Sequence, residues 1–525
     1  MDSRIHSITQ VAKVKPEGPE KIHTLGGAYE LKWDESTPVT MNGHLAGFSQ
    51  FLECSGLFGS LVSSCPLVYS SHNAPTREAV LATAISGVLE GASRYRHFDS
   101  LLRDGVAPDL LGVRRFMSCD SVRRAMGRMD SASALKWLWT ENIKSCSDLL
   151  SRKYILDLDP TVKPLYGHQE GAVPGYNPRK PGRPSHVYHT LCCAELRLVF
   201  GMALHPGNET AGAYSMGTLD DFLASLPDHL KPHLVRGDVG FGNETVVSSC
   251  ESKGLPYLFK VRRSPGVRAI WESCLAPGVQ WEDAGQGWEG TWTRGRLSGW
   301  TRERGMLVLR RRRNGDSGKA PSVSGGPPAV RHPLLPGMAE LLPPDPKFMD
   351  RVYDWEVLVT DLRQGPLTVA QLYRDRGDCE NIFDEMKNQW GWDGFTSHDL
   401  GTSAVMASLV MLVANWWNVF TRLGVAGDGG HAEAPGTRRS LQRTVCRLGS
   451  HAGSRTLEIY TAGAARCKCA LSSIMLIIST IRTATQLGAE ERWRLLLLYA
   501  FRKYEAVRQL LPVEIRGQLT LPYVT

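Results

Sequence analysis

The strongest constraint on the fold of this 525-residue chain lies between residues 153 and 261, where short β-rich runs succeed one another and helices separate the later ones. Lys153 to Leu158 (KYILDL) is a strand-like run that leads into an acidic residue. Val187 to Ala194 and Leu196 to Leu204 are two more, separated only by Glu195, as in a tight hairpin. Thr218 to Leu230 is predicted to be helical, His233 to Arg236 begins a strand, Thr245 to Ser252 is a helix, and Tyr257 to Val261 (YLFKV) is a further strand. A three-stranded meander followed by helix, strand, helix and strand predicts a mixed α/β sheet.

The pattern breaks at Arg262 and returns at Tyr353 to Asp361 (YDWEVLVTD), a strong strand. A long helix is expected after it, from Thr368 as N-cap to Gln389. The intervening stretch holds Trp271, Trp281, Trp288, Trp292 and Trp300, a β-like run from Gly305 to Leu309 that continues into Arg310 to Arg313, and a Gly/Ser/Pro-rich tract from Asn314 to Pro328. It reads as a mostly β insertion over 262–350, which leaves 151–261 and 351–400 as the core. Residues 1–150 read as helical. Ala74 to Ser93 has apolar helical spacing with Thr76 as N-cap, and Asp120 to Arg128 and Ser131 to Ile143 are two more helices carrying Arg123, Arg124, Arg128 and Lys136. Residues 401–525 are also mostly helical, with a basic stretch from Arg438 to Arg447 and an apolar one from Ile474 to Leu498.

Composition narrows the class of function. At 42% hydrophobic and 22% charged, the chain is an ordinary soluble globular protein, long enough for a large core and more than one domain. Its net charge of +8 fits a polyanionic partner without requiring one. Twelve cysteines include no CxxC pair; the closest are Cys192–Cys193 and Cys467–Cys469, neither with zinc-finger spacing, so a reduced, cytoplasmic setting is expected. Met1 to Gly18 lacks the apolar region of a secretory signal. The uncharged run Ser403 to Phe420 is marginal for a membrane span, but it contains Asn415 and Asn418 and fits a buried helix better, so no membrane is expected.

Three acids stand where catalysis would want them. Asp159 ends the first strand in LDLDPTV, Asp238 ends a later one in HLVRGDVGFG, and Glu380 lies on the helix after the last strand. Carboxylates at strand ends converge at one edge of a sheet, and a helix packed there adds a third. Hard cations such as Mg²⁺ prefer such oxygen ligands, and two of them stabilise both the attacking and the leaving oxygen in phosphoryl transfer. Each acid alone is more often a turn residue or a solvated helix face. Asp157 rivals Asp159, because alternation puts both on one face of the strand.

The helix around Glu380 reads YRDRGDCENIFDEMK, and Tyr373, Arg376, Glu380 and Lys387 fall at offsets of three, four and seven, on one stripe. That stripe suits metal and phosphate, with Arg376 as a bidentate fork and Lys387 as a point charge. By itself, a surface helix with an Arg376–Glu380 ion pair is the simpler reading.

The spacing Y-x2-R-x3-E-x6-K resembles the signature of DDE transposases of bacterial insertion sequences, in the cut-and-paste branch that passes through a DNA hairpin, and all four positions match. Asp159-Pro160-Thr161 is similar to the first acidic motif (D-x-T) of that family, which selects Asp159 over Asp157. Arg236-Gly237-Asp238 with Gly240-Phe241 is similar to the second. The segments from Gly167 to Ala172 and from Gly175 to Lys180 also resemble one subgroup. The likeness covers about 150 to 395.

This resemblance implies an RNase H-like mixed-sheet core with a mostly β insertion, flanked by helical regions. It implies that Asp159, Asp238 and Glu380 bind two Mg²⁺ ions, with Mn²⁺ as a substitute. Water frees a 3′-OH, which attacks the opposite strand to form a hairpin; the reopened end then joins target DNA. Tyr373, Arg376 and Lys387 would contact the phosphates of the end. The implied partner is double-stranded DNA, both terminal inverted repeats and target, bound by a homodimer in a synaptic complex in the bacterial cytoplasm, at the nucleoid.

Further DNA contacts are expected elsewhere. An aromatic can hold an unstacked base, and Trp288, Trp292 or Trp300 could serve, near Arg294 and Arg296; Trp292 is the first candidate, against the simpler role of filling a small β core. The loop from Asn177 to Ser185 (NPRKPGRPS) presents Arg179, Lys180 and Arg183, and Gly182-Arg183-Pro184 is similar to an AT-hook core. Non-specific phosphate contact is the more economical reading of this loop. A helix-turn-helix fits Asp120 to Ile143, and Ile474 to Leu498 is apolar enough for dimerisation or for internal core. The competing functions are a transposase-derived DNA-binding protein that no longer cuts, another RNase H-like nuclease, and a glycosidase using two carboxylates. The three intact acids, the Tyr373–Lys387 stripe and the flanking Arg and Lys residues, respectively, argue against them.

Overall fold

The computed structural model describes residues 20–313, 352–424, 437–438, 441, 444–460, 465–484 and 487–502, apart from positions 35, 44, 152 and 178. The Gly/Ser/Pro-rich tract from Asn314 to Pro328 therefore lies outside the described residues. Strands β1 (Glu20–Thr24) and β2 (Gly27–Leu31) form a separate hairpin, followed by the short β3 (Val39–Thr40). Helices α1 (Leu45–Ser55), α2 (Leu57–Ser63), α3 (Arg77–Leu89), α4 (Cys119–Arg128) and α5 (Ser131–Cys146) come next. Three start at side-chain caps, which satisfy backbone N–H groups that have no partner in the first turn. Thr76 accepts from the Ala79 amide at 3.2 Å, Ser118 from Ser121 at 3.3 Å and Asp130 from Ser133 at 2.9 Å.

The central region runs β4 (Ile155–Pro164), β5 (Val173–Pro174), β6 (Pro184–Cys193), β7 (Leu198–Pro206), α6 (Ser215–Ala224), β8 (Leu234–Gly237), α7 (Glu244–Ser252) and β9 (Tyr257–Lys260). Then come α8 (Pro265–Ser273), β10 (Glu282–Gly285), β11 (Trp288–Gly295), β12 (Arg304–Arg312) and β13 (Tyr353–Thr360). One ten-stranded sheet joins them in the order β10-β11-β12-β13-β9-β8-β4-β6, with β5 and β7 both pairing with β6. β7, β6 and β4 are antiparallel neighbours, whereas β4, β8 and β9 are parallel, which gives the RNase H-like order. β8 is buried along its whole length and β6 at all but its first residue, as expected of strands covered on both faces. The strands between 262 and 350 continue the same sheet, because β12 pairs with β13 and β13 with β9, both antiparallel.

Helices α9 (Pro366–Arg374), α10 (Gly377–Asn388) and α11 (Leu400–Gly424) follow, then the hairpin of β14 (Cys446–His451) and β15 (Ser454–Ile459), and finally α12 (Ala465–Ala484) and α13 (Ala489–Ala500). β14 also pairs with β3, which ties the two ends of the chain together. Among the described residues, α11 is the one helix long and apolar enough to cross a membrane, and 94% of its apolar window is buried inside the fold. Its Asn415 amide donates to Asn142 of α5 at 2.9 Å and to the Val199 carbonyl at 2.7 Å, and Trp416 donates to Ser145 at 3.0 Å. Buried polar pairs of this kind fix the packing register, since leaving either partner unmatched is costly. They seat one face of α5 in the core, while Lys136 on α5 and Arg123, Arg124 and Arg128 on α4 stay exposed.

Several boundaries differ from the sequence-based expectation. β4 runs on to Pro164, so Asp159 lies inside the strand rather than at its end. The β6–β7 turn takes four residues, with Arg197 in the left-handed region at φ 52°. The helix expected over 368–389 is two helices that break at Asp375–Arg376, and the first begins at Pro366, whose fixed φ suits the first helical position. The apolar stretch 474–498 is likewise divided between α12 and α13. The β14–β15 hairpin was not anticipated; Ala452 and Gly453, at φ 48° and 81°, make the two-residue turn that favours it.

Candidate active site

The parallel pairing of β4 and β8 sets Leu158 opposite Gly237, so Asp159 and Asp238, the next residue on each strand, emerge side by side. Beyond Gly237 the chain leaves the sheet. There Asp238 turns back to accept from the Gly240 amide at 2.8 Å and is half-exposed. Glu380 lies in the first turn of α10, with its side chain 70% exposed. Arg376 connects the group: it donates to Asp159 Oδ2 at 3.0 Å and lies 3.5 Å from Glu380 Oε1. Burial pushes the Asp159 carboxyl up to about 7; Arg376 pulls it down, and the charges of Asp238 and Glu380 raise it further. The three acids therefore act on one another electrostatically, as carboxylates do when they share a site.

Asp157 has a different role. Its side chain is fully buried and held by both arms of Arg236, Nε to Oδ1 at 2.7 Å and NH2 to Oδ2 at 2.8 Å. Arg236 also donates to the Leu372 carbonyl at the end of α9. This bidentate pair locks β4, β8 and α9 together, and it consumes the lone pairs that a ligand would need. Sequence reasoning missed Arg236 as the partner; an Arg two residues before the second acid, beside a strand with two aspartates, was the available signal.

The helical stripe meets β4 residue by residue. Asp159, Thr161 and Lys163 lie on one face of β4. Arg376 reaches Asp159, Lys387 Nζ donates to Thr161 Oγ1 at 2.9 Å, and the buried Lys163 donates to the Gly394 carbonyl. Burial lowers the Lys387 ammonium, with Asp393 and Arg179 close enough to act on it. Burial also pushes Lys163 down to about 8. Tyr373 is half-buried against the apolar cluster of Leu234, Leu258, Leu307, Leu358 and Val369, with its hydroxyl beside Arg376, and burial raises its pKa. Thr161 is the Thr of the D-x-T motif, and Asp393 is the site neighbour that the sequence did not single out.

Among the described residues, no group of three or more His, Cys, Asp or Glu side chains has the spacing of a formed metal site. The Arg376 guanidinium spans the space between Asp159 and Glu380 and supplies the positive charge there. The donor chemistry nevertheless fits a hard divalent ion. It is all carboxylate oxygen, Asp159 is held rigidly in a strand, and the exposed Glu380 is free to adjust.

The other candidates for DNA contact divide in two. In the loop, Arg183 stacks over Tyr166 at 4.7 Å from the ring centre, and Lys180 lies at 5.1 Å and donates to its hydroxyl. Arg179 is exposed near Lys387 and Asp393. In the β10–β12 strands, Trp300 is buried beneath Arg304, with the guanidinium 4.9 Å from its ring, so it is not accessible to a base. Trp271 is buried and stacks on Trp355 at 5.4 Å. Trp292 is half-buried on β11 and packs against the same apolar cluster as Tyr373, as does Trp288.

Residues 150–416 match the family model described as a transposase DDE domain. No curated protein matches the chain. Among solved structures, a piggyBac transposase synaptic complex with hairpin DNA is similar at 10% identity and a TM-score of 0.31, over 93% of this chain and 86% of that one.

Proposed function

The chain belongs to the transposase DDE domain family, and from that premise we propose that it cleaves the ends of its own mobile element and joins them to target DNA at Asp159, Asp238 and Glu380. The observation that carries this assignment is the β4–β8 register, which sets Asp238 beside Asp159, together with the Arg376 bridge from Asp159 to Glu380. The three carboxylates would hold two Mg²⁺ ions, with Mn²⁺ as a substitute; when bound, these would stabilise charge on the attacking and leaving oxygens.

The side chains of this protein do the positioning. Arg376 shifts from Asp159 towards a non-bridging oxygen of the scissile phosphate, for which a guanidinium is well shaped. Tyr373, kept neutral by burial, donates to the same phosphate. Lys387, aimed by Thr161, neutralises the next one, and Arg179, Lys180 and Arg183 follow the backbone outwards. Water attacks the phosphodiester and frees a 3′-OH. That hydroxyl attacks the opposite strand and closes a hairpin, whose tip base would stack on Trp292. The hairpin is reopened and the end is joined to target DNA. Two ends must be held together, so a homodimer on paired terminal repeats is the proposed assembly, working in the bacterial cytoplasm at the nucleoid.

The test places a marker between the element's own terminal repeats and follows Mg²⁺-dependent excision by wild type and by Glu380→Gln. Hairpinned ends from wild type and none from the variant are expected. If both proteins bind the ends and neither cuts, the chain is a DNA-binding descendant of a transposase. A variant that cuts as well as wild type removes Glu380 from the site.

A further inference from the structure

Tyr166 lies just beyond β4, is 70% exposed and carries two cations. Arg183 sits over its ring, and Lys180 donates to its hydroxyl while staying 5.1 Å from the ring centre. The segment that carries them is anchored. Leu165 N donates to the Pro184 carbonyl at 2.8 Å, Glu170 N to His398 at 2.8 Å, and the Glu170 carboxylate accepts from the Leu400 amide at 2.9 Å. At the tip, the buried Asn177 accepts from the Lys180 amide at 3.0 Å, and Arg183 N closes a turn onto Lys180 O at 3.2 Å, with Gly182 at φ 74°. A backbone fixed in this way holds Lys180 and Arg183 on one aromatic platform before any partner arrives.

We infer that Tyr166, Lys180 and Arg183 form a preorganised clamp for one backbone phosphate of duplex DNA, set apart from the catalytic carboxylates; the inference rests on the transposase reading. The ring fixes the direction of the guanidinium and the hydroxyl that of the ammonium, so two cationic donors and the Tyr166 hydroxyl project into solvent together. Preorganised donors lose less side-chain freedom when they bind, which is why the aromatic matters beyond its own contact. Tyr166 follows Asp159 at an offset of seven residues; at the rise of a strand that is roughly 20 Å, or about six base pairs of duplex. The clamp therefore grips flanking duplex rather than the reacting end. Stacking on Tyr166 also gives Arg183 a local role that needs no AT-hook.

The test uses the full-length protein and a duplex carrying the element's end, with affinity measured across a salt series for wild type, Tyr166→Ala, Tyr166→Phe and Arg183→Ala. Arg183→Ala should reduce the salt slope by about one. Tyr166→Ala should weaken binding although it removes no charge, and Tyr166→Phe, which keeps the platform for Arg183, should weaken it less. Hydroxyl-radical protection should be lost about six base pairs from the cut. Equal binding by wild type and Tyr166→Ala overturns the clamp, and a loss confined to A·T-rich duplex places Arg183 in the minor groove instead. Failure of wild type itself to bind duplex DNA overturns the transposase reading, a result distinct from either of these.

Discussion

Arg376 donates to Asp159 at 3.0 Å from the break between α9 and α10, so the middle of β4 is tied to the turn that presents Glu380. A continuous helix would carry Arg376 and Glu380 as a simple surface pair. The break directs the guanidinium onto the strand, where both its side chain (11% exposed) and that of Asp159 (13%) are shielded from water. The cation offsets the repulsion among the three carboxylates, and in the proposed mechanism the same guanidinium would turn to phosphate when DNA arrives.

Arg376→Gln should therefore separate metal binding from catalysis. Removing a positive charge at hydrogen-bonding distance strengthens the attraction of the carboxylates for a divalent cation, by roughly tenfold or more even with strong screening. Mn²⁺ binding followed by electron paramagnetic resonance should tighten while end cleavage is lost. Unchanged Mn²⁺ affinity would mean that the guanidinium does not compete for the site.

Asp157 and Asp159 should respond oppositely to the same substitution. Asp157→Asn leaves Arg236 charged and buried without its partner, a loss of about 3–5 kcal/mol. Asp159→Asn removes a carboxyl that burial already disfavours as an anion, so stability should change little while cleavage disappears. Urea unfolding and an end-cleavage assay on both variants check this, and a stable Asp157→Asn protein would contradict the structural role given to the pair.

Thr161→Val should lower cleavage without unfolding the protein. The valine keeps the shape of the side chain but no longer accepts from Lys387, whose ammonium then loses its fixed position. The loss of one hydrogen bond of about 1 kcal/mol implies a reduction of several-fold, up to about tenfold. Thr161→Ser retains the acceptor and should restore most of the rate. Equal activity of all three proteins would show that Lys387 needs no guide.

The sequence was most informative where local chemistry and periodicity agree. Thr76 as a cap, the strands around 187–204 and 353–361, and the burial of the helix through Asn415 all follow from residue type and spacing. It was least informative where tertiary contacts decide. In the run YRDRGDCE only Gly377, a poor helix former, marks the break; the contact of Arg376 with Asp159, more than two hundred residues earlier, left no trace there. Asp157 and Asp159 were equivalent by alternation; the chain itself separates them through Arg236, which pairs with one and leaves the other to Arg376. The strands between 262 and 350 read as an insertion because the α/β pattern breaks there, and their place in the sheet is set by hydrogen bonding to β13, which the sequence could not show. Tyr166 carried no signal, since its partners Lys180 and Arg183 meet it only after the loop folds back.

His189 should make stability fall with acidification in a way that one substitution removes. Its Nε2–H donates to the Glu209 carbonyl at 2.7 Å, so Nδ1 accepts from the Ser215 hydroxyl, also at 2.7 Å, and the ring is held neutral. Burial pushes its pKa down from 6.5 to about 4. The folded state thus binds this proton more weakly than the unfolded state does. Above pH 6.5 neither state is protonated and nothing is lost. As pH falls from 6.5 towards 4 the unfolded chain takes up the proton first, and the penalty reaches roughly 3 kcal/mol once both states are protonated. His189→Gln can keep a donor for Glu209 and an acceptor for Ser215 but does not titrate. Urea unfolding at pH 7, 6, 5 and 4 should show a shallower decline for the variant, since the acid sensitivity of the carboxylates is common to both proteins. Parallel declines would mean that the buried ring takes up its proton in the folded state as readily as in the unfolded chain.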